Sequence, residues 1–211
     1  MSLTADFPVG LAVNWLSLAE ANIPEPALKG WLLDTGSLTE RVQSACGAFS
    51  LQLLGQQTLE PHSTELSLLQ ANGQTTYQIR EIVLCGDEQP WVFARSVIPQ
   101  AIIETELSNL GSEPLGKRLF NDKRFIRSEF QVCALPYEQF SQHLAEQSDS
   151  QSGVQSNSQL KSDTKQNLWG RRSVFTFESH HLIVAEVFLP DSPAYAQNEG
   201  QKQVIKRETR V

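Results

Sequence analysis

The chain reads as one α+β domain: an antiparallel sheet of about six strands, with short helices ahead of it and inserted midway. Three observations predict this. Two pairs of β-rich segments are joined by short turns, the mark of hairpins. No regular alternation of strand and helix accompanies them, so a doubly wound parallel sheet does not fit. Short apolar stripes of helical period carry their own start and stop signals.

The elements follow in order. Pro24 and Pro26 open a first helix, whose stripe is Ala27, Leu28, Trp31 and Leu32. Asp34-Thr35-Gly36 breaks it. Ser37 is then an N-cap with Glu40 three positions on, a capping box, and the second helix runs from Leu38 to Cys46, stopping near Gly47. Phe49 to Leu59 alternates loosely as a strand. Tyr77 to Cys85 (YQIREIVLC) and Pro90 to Pro99 (PWVFARSVIP) form a hairpin about the turn Gly86-Asp87-Glu88-Gln89. Two short helices are predicted over 101–110 and 112–120, the second opened by Ser112 or Glu113 with Pro114 in its first turn. Arg124 to Cys133 is another strand. Arg172 to Phe177 and Leu182 to Leu189 make a second hairpin around Glu178-Ser179-His180-His181.

Between about Ser141 and Asn167 the composition changes to Ser and Gln, without aromatics and with almost no apolar residues. Such a stretch buries too little surface to offset its ordering entropy, so a mobile insertion is expected over about 141–166. Strand-like sequence resumes straight after it, so it is not a domain boundary. The domain is drawn as 1–196, and 197–211 as a polar tail that frays.

The formal charge is −7 over 211 residues. An acidic chain repels phosphate backbones, so nucleic acid is a poor partner, and an anionic substrate would need a local basic site. Cys46, Cys85 and Cys133 form no CxxC pair and, being odd in number, no closed disulfide framework. They read as reduced, mostly buried thiols of a cytoplasmic protein. The first residues lack the basic start of a signal peptide, and no apolar run approaches the ~20 residues of a membrane span. There is no GxGxxG, P-loop, HExxH or G-x-S-x-G. The histidines are not spaced as ligands, so neither metal nor cofactor is called for.

Two charged residues sit where the apolar pattern does not welcome them. Glu186, within LIVAEVFL, points into a dry interior, where a carboxylate must be paired, hydrogen-bonded or neutral. A structural ion pair would also account for it. Arg80, within YQIREIVLC, shares a face with Gln78, Ile82 and Leu84, while Glu81 shares the other with Ile79 and Val83. One of the two is expected to be exposed, and the pattern does not say which. A guanidinium fork suits a carboxylate; a plain Arg80–Glu186 salt bridge is the alternative. Trp169-Gly170-Arg171-Arg172 is either an anion site or an exposed basic turn. The helix starts at Leu38 and at Pro114-Leu115-Gly116-Lys117 present free N–H groups suited to anions.

Taken in order, WLLDTGSLTERV (31–42), YQIREIVLCGDEQPWVFARSVIP (77–99), LGSEPLGKRLF (110–120), LWGRRSVF (168–175) and LIVAEVFLPDSPAY (182–195) resemble the chorismate lyase family, the chorismate–pyruvate lyases of bacterial ubiquinone synthesis. The resemblance spans roughly 14–195. It implies conversion of chorismate to 4-hydroxybenzoate and pyruvate without a cofactor, by a monomer whose short helices form flaps over an enclosed ligand cavity. By matching motif, its ligand-binding positions fall on Arg80 and Glu186, and, through backbone groups, on Leu38 and Leu115. Where the family commonly has Met, this chain has Leu38; the Ser/Gln-rich insertion and the tail are further departures. On this resemblance Arg80 pairs with a substrate carboxylate and Glu186 hydrogen-bonds the C4 hydroxyl, and 31–46 and 101–120 are the covers. Two other readings compete: a ligand-sensing domain that binds an aromatic acid without turning it over, and an interaction protein working through the insertion. The absence of a helix-turn-helix segment counts against the first.

Overall fold

The computed structural model describes residues 3–5, 7–11, 13–70, 74–108, 114–141, 144–146 and 167–196. Helices α1 (Pro26–Leu32) and α2 (Leu38–Ala45) lead into β3 (Phe49–Thr58), after the short strands β1 (Leu3–Ala5) and β2 (Leu16–Ser17). Helix α3 (Ser63–Leu69) precedes the hairpin β4 (Tyr77–Gly86) and β5 (Gln89–Pro99). Helices α4 (Gln100–Thr105) and α5 (Leu115–Asn121) follow, then β6 (Ile126–Arg127), β7 (Gln131–Pro136), α6 (Tyr137–Ser141) and β8 (Leu144–Glu146). The closing hairpin is β9 (Asn167–Phe177) and β10 (His180–Phe188), with a final 3-10 turn at Pro193–Tyr195.

The main sheet is antiparallel and eight-stranded, in the order β2-β7-β9-β10-β5-β4-β3 with β6 beside β9; β1 and β8 pair separately. The expected α+β domain is therefore present. Its six long strands are the six foreseen, and β2 and β6 add two-residue edges. Asp87, Glu88 and Glu178 turn the two hairpins with positive φ, a conformation that acidic and amide side chains tolerate better than branched ones.

Both faces of the sheet are covered. On one, α1 and α2 bury Leu28, Trp31, Leu32, Leu38 and Val42 against Ile82, Leu84, Val92 and Phe188. On the same face, α4 and α5 bury Ile102, Leu115 and Leu119 against Ile98, Phe175 and Leu182. The opposite face packs Val83, Phe93, Cys133 and Val187 against the N-terminal residues Val9 and Leu11 and against Phe140 of α6, and α3 closes its other end through Leu69. Each such aliphatic side chain contributes roughly 1.5–3 kcal/mol on burial. Two-sided cover corrects the expectation that Arg80 or Glu81 is exposed: both are buried.

Several boundaries shift. Pro114 is the N-cap of α5, so the helix starts one residue after it and not at Ser112 or Glu113, which lie outside the described residues. The strand expected over 124–133 breaks into β6 and β7 around Ser128–Phe130. His180 and His181 begin β10 and do not sit in the turn. Within the supposed loop, Leu144–Glu146 is paired with Leu3–Ala5; 147–166 and the tail 197–211 lie outside the described residues. Cys46, Cys85 and Cys133 are free thiols, the last two buried.

Candidate active site

The strand register sets the site. Arg80 pairs with Ser96, Ser96 with Val184, and Val184 with Ser173, so these four side chains stand in one row on one face. One pleat repeat along, Ile82, Ala94, Glu186 and Arg171 form the next row on that face. These rows run between the apolar block under α1 and α2 and the block under α4 and α5. The result is a polar strip enclosed by hydrocarbon. Arg80 and Glu186 lie two strands and one repeat apart, about 12 Å between backbones at ordinary sheet spacings.

They do not pair with each other. Glu186 accepts a hydrogen bond from Arg171 Nε at 2.7 Å. Arg171, expected as an anion site or an exposed basic turn, is instead a buried strut. Its Nη1 donates to the carbonyls of Trp31, Leu32 and Asp34 at 3.3, 3.2 and 2.7 Å, which ties the end of α1 to the sheet. The Glu186 side chain is 16% exposed, against 2% for Arg171, so the carboxylate keeps an open side toward the strip. Gly170, before Arg171, allows the tight approach of β9 to β10: a Cβ there would lie 2.9 Å from the Glu186 carbonyl oxygen and 3.0 Å from Cys133 Sγ.

Arg80 donates from Nη1 to Gln56 Oε1 at 2.6 Å, and Gln56 is in turn bonded to Gln78. Burial pulls the Arg80 guanidinium below its ordinary pKa. It remains cationic, because a guanidinium starts far above neutrality.

The start of α2 falls where the sequence puts it, and that of α5 comes later than the expected Ser112 or Glu113. Leu38 and Leu115 are the first residues of α2 and α5, and both are buried. Ser37 caps α2 by accepting from Glu40 N. The starts meet: a Cβ on Gly116 would lie 3.4 Å from Thr39 Oγ1 and 3.8 Å from Ser37 Oγ. The α1–α2 cover is braced by Arg41, which bonds Asp34 and the Gly30 carbonyl and lies over the Trp31 ring at 4.1 Å. Burial pushes the Asp34 carboxyl up, but Gly36 N–H and Arg41 outweigh it and its pKa ends below the ordinary value.

Under α5 a cavity of about 20 Å³ reaches Glu186, lined also by Gly116, Phe130, Arg171, Ser173 and Arg127. That is room for about one water, less than a substituted six-membered ring needs. Arg80, Leu38 and Leu115 are not in its walls; Arg80 lies farther along the same strip. A second, larger cavity of about 590 Å³ opens on the outer side of α5, where Arg124 bonds Asp122 and Glu106. None of the four expected site residues lines it.

Sequence reasoning did not single out Arg127 or Ser173. Arg127 Nη1 and Ser173 Oγ are buried in the cavity region with no hydrogen-bond partner among the described residues. Arg127 was legible only as an arginine inside a strand-like run. On the opposite face, Arg95 binds Glu65 through two nitrogens and Glu81 through a third, all at 2.9 Å. Glu81 also accepts from Val9 and Gly10 N–H. That network anchors α3 and the N-terminal segment. Among the described residues no cluster of three His, Cys, Asp or Glu could hold a metal ion, and no helix is long and apolar enough to cross a membrane.

A family model described as chorismate lyase matches residues 11–200. A relative from Pseudoalteromonas atlantica, named probable chorismate pyruvate-lyase, is 41% identical over 194 residues, covering 90% of this chain and 92% of that protein. One of the same name from Shewanella loihica is 36% identical over 200 residues, covering 90% and 95%. Among solved structures, the effector domain of PhnF from Mycobacterium smegmatis is similar with a TM-score of 0.47 at 11% identity, covering 75% of this chain and 91% of that one.

Proposed function

The chain belongs to the chorismate lyase family, and from that premise we propose that it eliminates pyruvate from chorismate to leave 4-hydroxybenzoate for ubiquinone synthesis. It does so as a cytoplasmic monomer, on a small-molecule substrate and without nucleic acid. Residues 1–196 form the catalytic domain. The observation that carries the reading is the polar strip, with a buried guanidinium at 80 and a part-exposed carboxylate at 186 on one face of the sheet.

Chorismate carries a ring carboxylate and, para to it, a C4 hydroxyl; the enolpyruvyl ether is on the neighbouring C3. The C3–O bond breaks with its electron pair leaving on oxygen. The C4 hydrogen departs and its electrons complete the aromatic ring. The departing enol gains a hydrogen at its methylene carbon and becomes pyruvate. Aromatisation drives the step, so the protein's task is positioning and electrostatics. Arg80 takes the ring carboxylate, assisted by backbone N–H groups at Leu38 and Leu115. Glu186 accepts from the C4 hydroxyl, the phenol of the product. The covers α1–α2 and α4–α5 open for entry and exit, and such motion limits turnover in many enzymes.

The direct test is chorismate added to purified protein, with pyruvate followed by a coupled dehydrogenase. Pyruvate and 4-hydroxybenzoate should appear in equal amounts. Binding of 4-hydroxybenzoate without pyruvate release would overturn the enzymatic reading. Losing a charge-assisted contact to a buried anion costs ~2–5 kcal/mol, so Arg80→Ala should lower kcat/KM by at least about tenfold. Activity of that variant near wild type would remove Arg80 from the site.

A further inference from the structure

Arg127, on β6 beside Phe175, is the unexplained charge of the cavity under α5. Its guanidinium carbon lies 4.4 Å from the centre of the Phe130 ring and 5.3 Å from that of Phe120. Phe130 also carries Arg171, at 4.7 Å. Two guanidiniums thus share one ring, and the cavity they line holds a single carboxylate, Glu186. Arg171 already commits its Nε to Glu186 and its Nη1 to three carbonyls. Arg127 Nη1 and Ser173 Oγ have no partner among the described residues. The Arg127 side chain is half-buried with its Nη1 fully so, and a partly desolvated cation beside a like charge is better held when an anion joins it. Burial, and then the proximity of Arg171, lower the Arg127 pKa against the opposing pull of Glu186 and Asp34.

We propose that Arg127, with Ser173 donating beside it, is the subsite for the second carboxylate of the substrate, the one on the departing enolpyruvyl group. The assignment rests on the lyase reading and deepens it. With the ring carboxylate at Arg80 and the C4 hydroxyl at Glu186, the ether on C3 is held at the Glu186 end of the strip. Arg127, Ser173 and Glu186 line one cavity there. As the C3–O bond breaks, charge builds on the leaving enolate, and a guanidinium on its carboxylate stabilises that charge where it develops. The Phe120 and Phe130 rings flank the guanidinium and help to orient it.

The product lacks this carboxylate, which separates a subsite from a structural arginine. Arg127→Gln should lower kcat/KM for chorismate roughly thirtyfold or more, while the Kd for 4-hydroxybenzoate stays within about twofold of wild type. Arg80→Gln should weaken both. Arg127→Lys keeps the charge without the fork; it should fall between wild type and Gln for chorismate and leave product affinity unchanged, and it serves if the Gln variant does not fold. A kcat/KM within about threefold of wild type in Arg127→Gln would overturn the assignment. So would a parallel loss of product affinity in either variant. Absence of pyruvate with the wild-type protein would sink the lyase reading, and this subsite with it, before any variant is made.

Discussion

Replacing Arg171 by Met tests whether the strut holds the cover to the sheet. The substitution keeps most of the aliphatic volume and removes every donor. It strands Glu186, whose only ion-pair partner among the described residues is Arg171 Nε at 2.7 Å, and it leaves the carbonyls of Trp31, Leu32 and Asp34 without that cation. Removing one member of a buried pair costs ~3–5 kcal/mol. Glu186 is 16% exposed and recovers some hydration, which favours the lower end. A loss of about 3 kcal/mol lowers the melting temperature of a chain this long by roughly 6–12 °C. Thermal unfolding followed by circular dichroism reads this directly. Adding Glu186→Gln should cost less in the Arg171→Met background than in wild type, with a coupling of about 1 kcal/mol or more. Amides of 26–34 should also exchange faster in the Arg171 variant, since the end of α1 has lost its tether. A melting temperature within about 2 °C of wild type, or strictly additive losses in the cycle, would refute the strut.

Gly170→Ala should destabilise by ~1–3 kcal/mol, read as a lower urea midpoint, because the new methyl meets the Glu186 carbonyl oxygen at 2.9 Å and Val187 Cγ2 at 3.1 Å; an unchanged midpoint would show that β9 can back away. Glu65 is pushed up by burial, but the Arg95 hydrogen bonds and charge outweigh this and hold its pKa below 4.5. Its contribution to stability is therefore full above its unfolded pKa and lost as pH falls through the folded one. Glu65→Gln should be less stable than wild type at neutral pH, with the gap narrowing as pH falls below the ordinary carboxylate range; a gap that does not narrow on acidification would contradict this.

The hairpins were legible because a strand's period and its turn residues are local properties. The Ser37 cap and the Leu38 helix start were legible for the same reason. What the chain hid was long-range. Period-two reasoning assigns one face of YQIREIVLC to solvent, and Glu81 defeats it because Val9 and Gly10 N–H groups and Arg95 arrive from distant segments. Arg171 looked like part of a surface turn because Trp-Gly-Arg-Arg lacks β-branched residues, yet it lies inside β9. Helix α3 went unread: its stripe is a few leucines in polar surroundings, and its N-cap is His62, whose N–H donates to Glu65 Oε2, in place of a Ser or Thr that caps through its side chain. Of the site, Glu186 and Arg80 announced themselves as charges among apolar residues. Arg127 and Ser173 did not, since each stands beside another polar residue, Ser128 and Arg172, in a run that mixes polar and apolar side chains.

The pairing of β5 with β10 joins residues 92–97 to 183–188, and Arg80 and Glu186 stand on opposite sides of that seam. Each hairpin can form early from contacts near in sequence, whereas the seam must wait for a long loop to close. Binding competence should therefore arise late in refolding, after most of the strand signal has developed. Because loop closure grows only with the logarithm of length, doubling the connecting chain costs about 0.6 kcal/mol. Evolution could thus lengthen the stretch before β9 at little expense, and a Ser/Gln-rich tract there is the kind of addition the seam tolerates.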